Sequence, residues 1–277
     1  MSALAPTITL TNGVAMPALG LGTSPMGNEE TEATVRTAIG AGYRLIDTAE
    51  NYRNEEGAGR GIQASGIDRG EVFVTTKFNK NWHGYQEAQD AFAASAKRLG
   101  LDYIDLLLIH WPVPAQDRYV DAWRGMIKLL EDGKVRAIGV SNFKPAHIER
   151  LIDTTGVAPH VNQVQFNPYL VREDAQRYDA THGIVTEAWS PIGQGKDLLS
   201  DSIIAGIAGA HGKTPAQIVL RWHVQQGLIP IPKSANPRRL SENIDVFSFA
   251  LAPADMAAVS ALDRHGQGAV DSDRMGH

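Results

Sequence analysis

One pattern constrains this chain more than any other: a short apolar run followed by a longer amphipathic stretch, eight times over. The runs are "ALGLGT", "YRLIDT", "VFVTTK", "IDLLLIH", "VRAIGVS", "VNQVQF", "IVTEAWS" and "LIPIPK", ending at positions 23, 48, 77, 110, 141, 166, 190 and 233. All but one of the steps between those ends fall between 23 and 33 residues, the length of a strand with its returning helix. The runs do not alternate with polar residues as half-exposed strands do, so both faces of the sheet must be covered, as in a parallel sheet wrapped by helices. Helical period marks Glu30 to Ile39, Ala88 to Leu99, Tyr119 to Leu130, Ala146 to Ile152 and Pro215 to Gln225. The last of these opens on Thr214-Pro215, a capping residue followed by proline in the first turn. The one long step, 43 residues from Ser190 to Lys233, leaves room for a further helix over Ser202 to Ala210. Ahead of the first unit, Thr7 to Leu10 and Val14 to Met16 flank Asn12-Gly13, which predicts a hairpin closed by a tight I′ turn. Eight units predict an α/β fold, a closed (β/α)8 TIM barrel. It is expected to form a single domain over residues 1–277, with an N-terminal β-hairpin and extra helices after strand 7 and at the C-terminus.

The rival α/β architecture, an open doubly wound sheet, needs a glycine-rich nucleotide fingerprint. Gly20 and Gly22 are followed by Pro25 where the third glycine belongs, and Gly193 and Gly195 by Leu198. The end of a P-loop is imitated by Gly212-Lys213-Thr214, but Ile207 stands at its first glycine position. Partners follow from charge: a net −5 with acids and bases interspersed offers no basic stripe for nucleic acid and no polybasic membrane anchor. No run of 18 apolar residues occurs, and the first residues lack the basic and apolar regions of a signal peptide. The chain has no cysteine, so disulfides, thiolate metal sites and cysteine nucleophiles are excluded together. The expectation is a cytoplasmic monomer acting on a small molecule.

In barrels of this kind the reacting groups project from the C-terminal ends of strands. Those ends carry Asp47, Lys77 and His110, and Tyr52 follows in the loop after "GYRLIDTAENY". Singly, each has an ordinary structural explanation. Together they place four polar, titratable groups at one rim, where "FVTTK" and "LLLIH" end otherwise apolar strands with an ammonium and an imidazole.

"GYRLIDTAENYRNEEGAG", "TTK", "LLLIHWP", "GVSNF" and "IPKS", in this order and spacing, resemble the aldo-keto reductase family over nearly the whole chain. Within it, "HWPVPAQDRYVDAW" and "GKTPAQIVLRWHVQQG" are most similar to the bacterial 2,5-diketo-D-gluconate reductase branch. The resemblance implies an NADPH-dependent oxidoreductase that reduces aldehyde or ketone carbonyls, with Tyr52 as proton donor. A free phenol has a pKa of about 10, and a neighbouring Lys77 ammonium is expected to bring it down. Asp47 is expected to hold Lys77, and His110 to orient the carbonyl oxygen. No metal is required, and no His-Glu-x-x-His spacing is present.

The resemblance assigns Ser141, Asn142 and Gln163 to the nicotinamide carboxamide, Trp189 to its ring, and Ser190 and Gln194 to the loop along the pyrophosphate. It assigns Lys233, Ser234 and Arg239 to the 2′-phosphate, with Glu242 and Asn243 near the adenine; two cations and a hydroxyl suit a dianionic phosphate. The sequence departs from the family at Ser24 and Asn79, where many relatives carry large aromatics, and at Gln165 and Asn167, where they often carry Glu and His. The substrate mouth is therefore expected to be wide and polar, formed by Ser24, Phe78, Asn79 and Trp111, with little contribution from the short polar C-terminus "RHGQGAVDSDRMGH". Implied substrates are sugar-derived keto acids, dicarbonyls and small aldehydes. Two other classes make different predictions: a nucleotide-binding barrel used as a regulatory or structural subunit would bind without turnover, and a metal-dependent barrel hydrolase would lose activity to a chelator.

Overall fold

The computed structural model describes residues 4–277. An antiparallel hairpin of β1 (Thr7–Thr9) and β2 (Ala15–Pro17) precedes eight parallel strands. These are β3 (Leu21–Gly22), β4 (Leu45–Asp47), β5 (Phe73–Phe78), β6 (Ile104–Ile109), β7 (Val135–Ser141), β8 (Val161–Gln165), β9 (Val185–Trp189) and β10 (Ile229–Ile231), paired in chain order. Backbone hydrogen bonds from Gly20 to Pro230 and from Gly22 to Pro232, both 3.1 Å, join the first strand to the last and close the barrel. The helices are α1 (Asn28–Gly40), α2 (Glu55–Ser65), α3 (Tyr85–Leu99), α4 (Tyr119–Glu131), α5 (Pro145–Thr155), α6 (Glu173–Thr181), α7 (Ser202–His211), α8 (Pro215–Gln225), α9 (Pro237–Ile244) and α10 (Pro253–Ser260). One helix follows each strand, except that α7 and α8 both follow β9, and α10 ends the series. Among the described residues no helix is long and apolar enough to cross a membrane.

Local chemistry sets several boundaries. Thr214 caps α8: its hydroxyl accepts from the Gln217 amide, and the Gln217 side chain accepts in return from the Thr214 N–H at 3.0 Å, a reciprocal capping box. The hairpin turn is wider than the sequence predicts. Only Gly13 has a positive φ, 83°; Gly13 N–H bonds to the Leu10 carbonyl and Leu10 N–H to the Val14 carbonyl, the pattern of a turn with a glycine bulge and not of a two-residue I′ loop. Asn12 does other work: its side-chain amide donates to the Arg136 carbonyl at 2.8 Å, tying the hairpin to the start of β7.

Helices α2, α6 and α9 lie outside the spans that the sequence marks as helical. Helix α2 contains Gly57, Gly59 and Gly61, each costing about 1 kcal/mol of helix propensity. They are required by packing. A Cβ on Gly57 would sit 2.2 Å from the Asn28 carbonyl oxygen, and one on Gly59 2.0 Å from that of Leu99, so α2 packs against its neighbours at backbone distance. Helix α6 is polar almost throughout, with Ala175 and Asp179 as its only buried residues.

Side chains along each strand alternate between the inside of the barrel and the helix layer. Ile46, Val74, Leu107, Ile109, Ile138 and Val140 face the helices, in one cluster with Val35, Ile39, Trp123 and Leu151. The inward row begins apolar: Leu45, Phe73, Leu106, Ala137, Val161 and Ile229 fill the N-terminal half, Leu108 and Ile231 carry it up to the level of Lys77 and Trp189, and Leu10 and Met16 of the hairpin segment pack onto the lower residues. Farther along the same row the residues turn polar.

Candidate active site

The polar end of the inward row is fixed by register. Asp47 lies opposite Gly22 and Thr75, Lys77 opposite Leu108, and Gln163 opposite both Ser141 and Glu187. Lys77 is fully buried and donates to Asp47 Oδ1 at 2.6 Å, to Asp47 Oδ2 at 2.8 Å and to the Thr48 carbonyl at 3.0 Å. Tyr52 arrives from a short turn, Glu50–Tyr52, ended by Arg53 in the left-handed region. The base of that turn is anchored, because the Glu50 carboxylate accepts from Trp82 Nε1 at 2.7 Å and from the Asn79 N–H at 3.3 Å. Lys77 Nζ lies 5.2 Å from the centroid of the Tyr52 ring, and the His110 ring lies 5.9 Å from it, edge to face.

The electrostatics refine the expectation for the tyrosine. Burial pushes the Tyr52 phenol up; the Lys77 charge pulls it down, Asp47 pushes it up again, and the net shift is upward. Lys77 does act as expected in sign, but desolvation outweighs it, so in the free protein Tyr52 is a neutral phenol with its proton in place. Burial pulls the Lys77 ammonium down, while Asp47, by its charge and its hydrogen bonds, leads the groups that offset it, and the net shift is upward, leaving the lysine charged. Burial, then Lys77 and His277, hold His110 well below its ordinary value. His110 is thus a neutral imidazole with one N–H to donate, and its Nδ1 has no partner within the protein.

Beside these groups runs a chain of side-chain hydrogen bonds across four strands. Trp189 Nε1 donates to Asn142 Oδ1 at 2.9 Å, Asn142 Nδ2 to Ser141 Oγ at 3.0 Å, and Ser141 Oγ to the Gln163 carbonyl at 2.9 Å. The Gln163 side-chain nitrogen donates to Asp47 Oδ2 at 2.8 Å and to Glu187 Oε2 at 2.6 Å. With both amide hydrogens committed, Gln163 has only its oxygen left to offer. Asn142, Ser190 and Gln194 all have positive φ, 63°, 51° and 60°, uncommon for side-chain-bearing residues and frequent where backbone is held for function.

These residues surround a cavity of about 1200 Å³. Its walls include Asp47, Tyr52, His110, Trp111, Ser141, Asn142, Gln163, Trp189, Ser190 and Gln194, and it continues to Lys233, Ser234 and Arg239. In that last stretch Arg238 is taken by Glu242 at 2.8 Å, whereas Lys233 and Arg239 face the cavity. Asn236 caps α9 by accepting from the Arg238 and Arg239 amides. A dinucleotide fits this layout: an aromatic face, an amide oxygen free to accept, and two cations with a hydroxyl at the far end. Among the described residues no cluster of three or more His, Asp or Glu is arranged for a metal ion.

Some expected residues lie elsewhere. Phe78 is 1% exposed and sits in the helix-side core against His83, because Lys77 faces inward and its neighbour must face out. Asn79 is held at the back of the Glu50 turn and does not line the cavity. Neither Glu242 nor Asn243 lines it; Asn243 is buried. The mouth is formed instead by Ser24, Pro25, Met26, Asn51, Trp111 and His277. The C-terminal segment therefore contributes more than its sequence suggests. His277 lies 4.7 Å from His110 between ring centroids and 2.6 Å from Asn51 Nδ2, and its carbonyl accepts from the Lys80 N–H. Ion pairs of Lys144 with Asp271 and Asp273, and a 2.9 Å contact of His147 Nε2 with Asp273, secure the segment. Glu187 is the buried residue that sequence reading missed; its signal was parity, two residues before Trp189 on the inward row.

Comparison with known proteins follows the same lines. The family model described as "Aldo/keto reductase family" matches residues 16–264. The chain is 49% identical over 259 residues to 2,5-diketo-D-gluconic acid reductase B of Corynebacterium sp. (strain SHS752001), covering 94% of each. It is 47% identical over 275 residues to morphine 6-dehydrogenase of Pseudomonas putida, covering 95% of this chain and 93% of that one. Among solved structures it is similar to an aspartate-to-alanine mutant of Gox0644 in complex with NADPH, with a TM-score of 0.93, 44% identity and 98% of each chain covered.

Proposed function

The chain belongs to the aldo/keto reductase family, and from that premise we propose that it is an NADPH-dependent reductase of aldehyde and ketone carbonyls on small polar substrates. Sugar-derived keto acids, dicarbonyls and aldehydes are the class proposed. One observation carries the reading: a buried Asp47–Lys77 pair against a protonated Tyr52, with a neutral His110 facing the same cavity.

NADPH, when bound, supplies the hydride to the carbonyl carbon. The Tyr52 hydroxyl gives its proton to the carbonyl oxygen, producing the alcohol, and the charge left on the phenolate is met by Lys77. Lys77 stays charged because Asp47 takes two of its hydrogen bonds. His110, uncharged, donates its ring N–H to the oxygen where negative charge grows and leaves the proton transfer to Tyr52. The Gln163 side-chain oxygen and Asn142 are the proposed partners for the carboxamide, and Trp189 for the ring face. Lys233, Ser234 and Arg239 are the proposed 2′-phosphate partners. The proposed site needs no residue from a second copy; a monomer in the cytoplasm is the state proposed, the lack of cysteine being consistent with that compartment.

The test is NADPH oxidation with methylglyoxal and with a diketo acid, wild type against Tyr52→Phe. The variant is expected to bind the nucleotide as wild type does and to lose turnover by about 10²- to 10⁴-fold. Nucleotide binding with negligible turnover in both proteins would support the regulatory-subunit alternative.

A further inference from the structure

Glu187 projects from β9 into the barrel with no exposed surface. Its Oε2 accepts from the Gln163 side-chain nitrogen at 2.6 Å, and its Oε1 has no hydrogen-bond partner within the protein. The same Gln163 nitrogen serves Asp47 Oδ2. Two carboxyl groups therefore share one amide, and one buried cation lies nearby: Lys77, held by both Asp47 oxygens and the Thr48 carbonyl. Were both acids ionised, the enclosed set would carry a surplus negative charge, with an oxygen that nothing in the protein hydrogen-bonds. That arrangement is costly in a low-dielectric interior, and it is relieved when one acid keeps its proton. Lys77 gives Asp47 two hydrogen bonds and gives Glu187 none.

We propose that Glu187 is a positioning residue that works as the neutral acid, holding the Gln163 amide jointly with Asp47 and leaving the Asp47–Lys77 pair electrically balanced behind Tyr52. The titratable groups that face it are Asp47 on β4, Lys77 on β5 and Tyr52 in the loop beyond β4. Burial, then Asp47, raise the Glu187 carboxyl to about 8, against the Gln163 hydrogen bond and Lys77, which lower it. Ionising Glu187 introduces a charge that raises the Tyr52 phenol further, making it a poorer proton donor. In the reductase reading, on which this functional half rests, reduction slows as Glu187 loses its proton.

Stability has its own sign. A native-state pKa above the unfolded value means the folded chain holds the extra proton, so the stabilisation is complete below the ordinary glutamate range and is lost as pH rises toward about 8. A glutamine in place of Glu187 would mimic the neutral acid in shape and charge, so Glu187→Gln should lack this loss.

Three measurements test the proposal. In wild-type protein labelled with ¹³C at glutamate side-chain carboxyls, one resonance is expected to titrate near 8; finding none that titrates above about pH 6 would overturn the proposal. The melting-temperature advantage of Glu187→Gln over wild type is expected to grow from about pH 5 to about pH 8 and then level; a constant difference would overturn it. These two do not depend on catalysis, so they separate this inference from the reductase assignment. For carbonyl reduction, wild-type kcat is expected to decline around pH 8 and the Glu187→Gln profile to lack that decline; superimposable profiles would overturn the positioning role.

Discussion

The two halves of the barrel interior are built on the same strands, in the same register, from the same inward-facing row, yet they obey different rules. The lower half is Leu45, Phe73, Leu106, Ala137, Val161 and Ile229, stopped by Leu10 and Met16. The upper half is Asp47, Lys77, Ser141, Gln163 and Glu187, all buried. Any inward position in the lower half accepts a hydrophobe of suitable volume; each upper position is fixed by a specific hydrogen-bond partner. The difference teaches that the lower half provides the closure that lets the upper half keep a charged pair out of water. Apolar burial is worth about 25 cal/mol per Å² and is non-directional, whereas a buried ion pair returns its desolvation cost only when its geometry is satisfied.

The sharpest way to break this division is Lys77→Met, which strikes both properties at once. It removes the phenol's partner and leaves Asp47 buried beside Gln163 without its cation, so turnover should fall at least about 10²-fold and stability by about 3 to 5 kcal/mol. Stopped-flow assay and urea denaturation would read the two losses. Leu106→Ala should cost about 2 to 5 kcal/mol in urea denaturation, with kcat of the folded enzyme unchanged; a matching loss of kcat would show that the halves are not separable.

Lys233→Ala acts at the far end of the cavity. It should weaken NADPH by about 1.5 to 3 kcal/mol, the worth of a hydrogen bond to a charged group, and barely change NADH, by fluorescence titration. Equal weakening of both nucleotides would remove the 2′-phosphate assignment. The smallest effect is expected from pH. Because His110 is neutral throughout, kcat/KM for reduction should show no inflection near the ordinary histidine value of about 6.5; an inflection there would mean that the imidazolium takes part.

Most of the barrel was legible because its strands are continuous apolar runs at even spacing, and the upper half because charged residues end such runs. What sequence patterns did not carry was contact across elements. The glycines of α2 read as helix breakers until the approach of Asn28 and Leu99 shows why no side chain fits. Helix α6 has too little apolar surface to display a period. Phe78 reads as a mouth residue by its proximity to Lys77 in sequence, whereas strand parity turns it outward. Glu187 passes unnoticed inside "IVTEAWS" because an acid in an apolar strand shows its role only once Gln163 and Asp47 are beside it. His277 is 167 residues from His110 in the chain, a separation that no local pattern spans.

The hairpin at the bottom of the barrel has a kinetic consequence. With Leu10 and Met16 stopping that end, everything that reaches Tyr52 must pass the same rim, and the vessel fills and empties through one neck. Whichever molecule lies deeper has to arrive first and depart last. Traffic through such a neck is sequential, with the late arrival also the early leaver, and a product lingering at the rim delays the exchange of what lies beneath it.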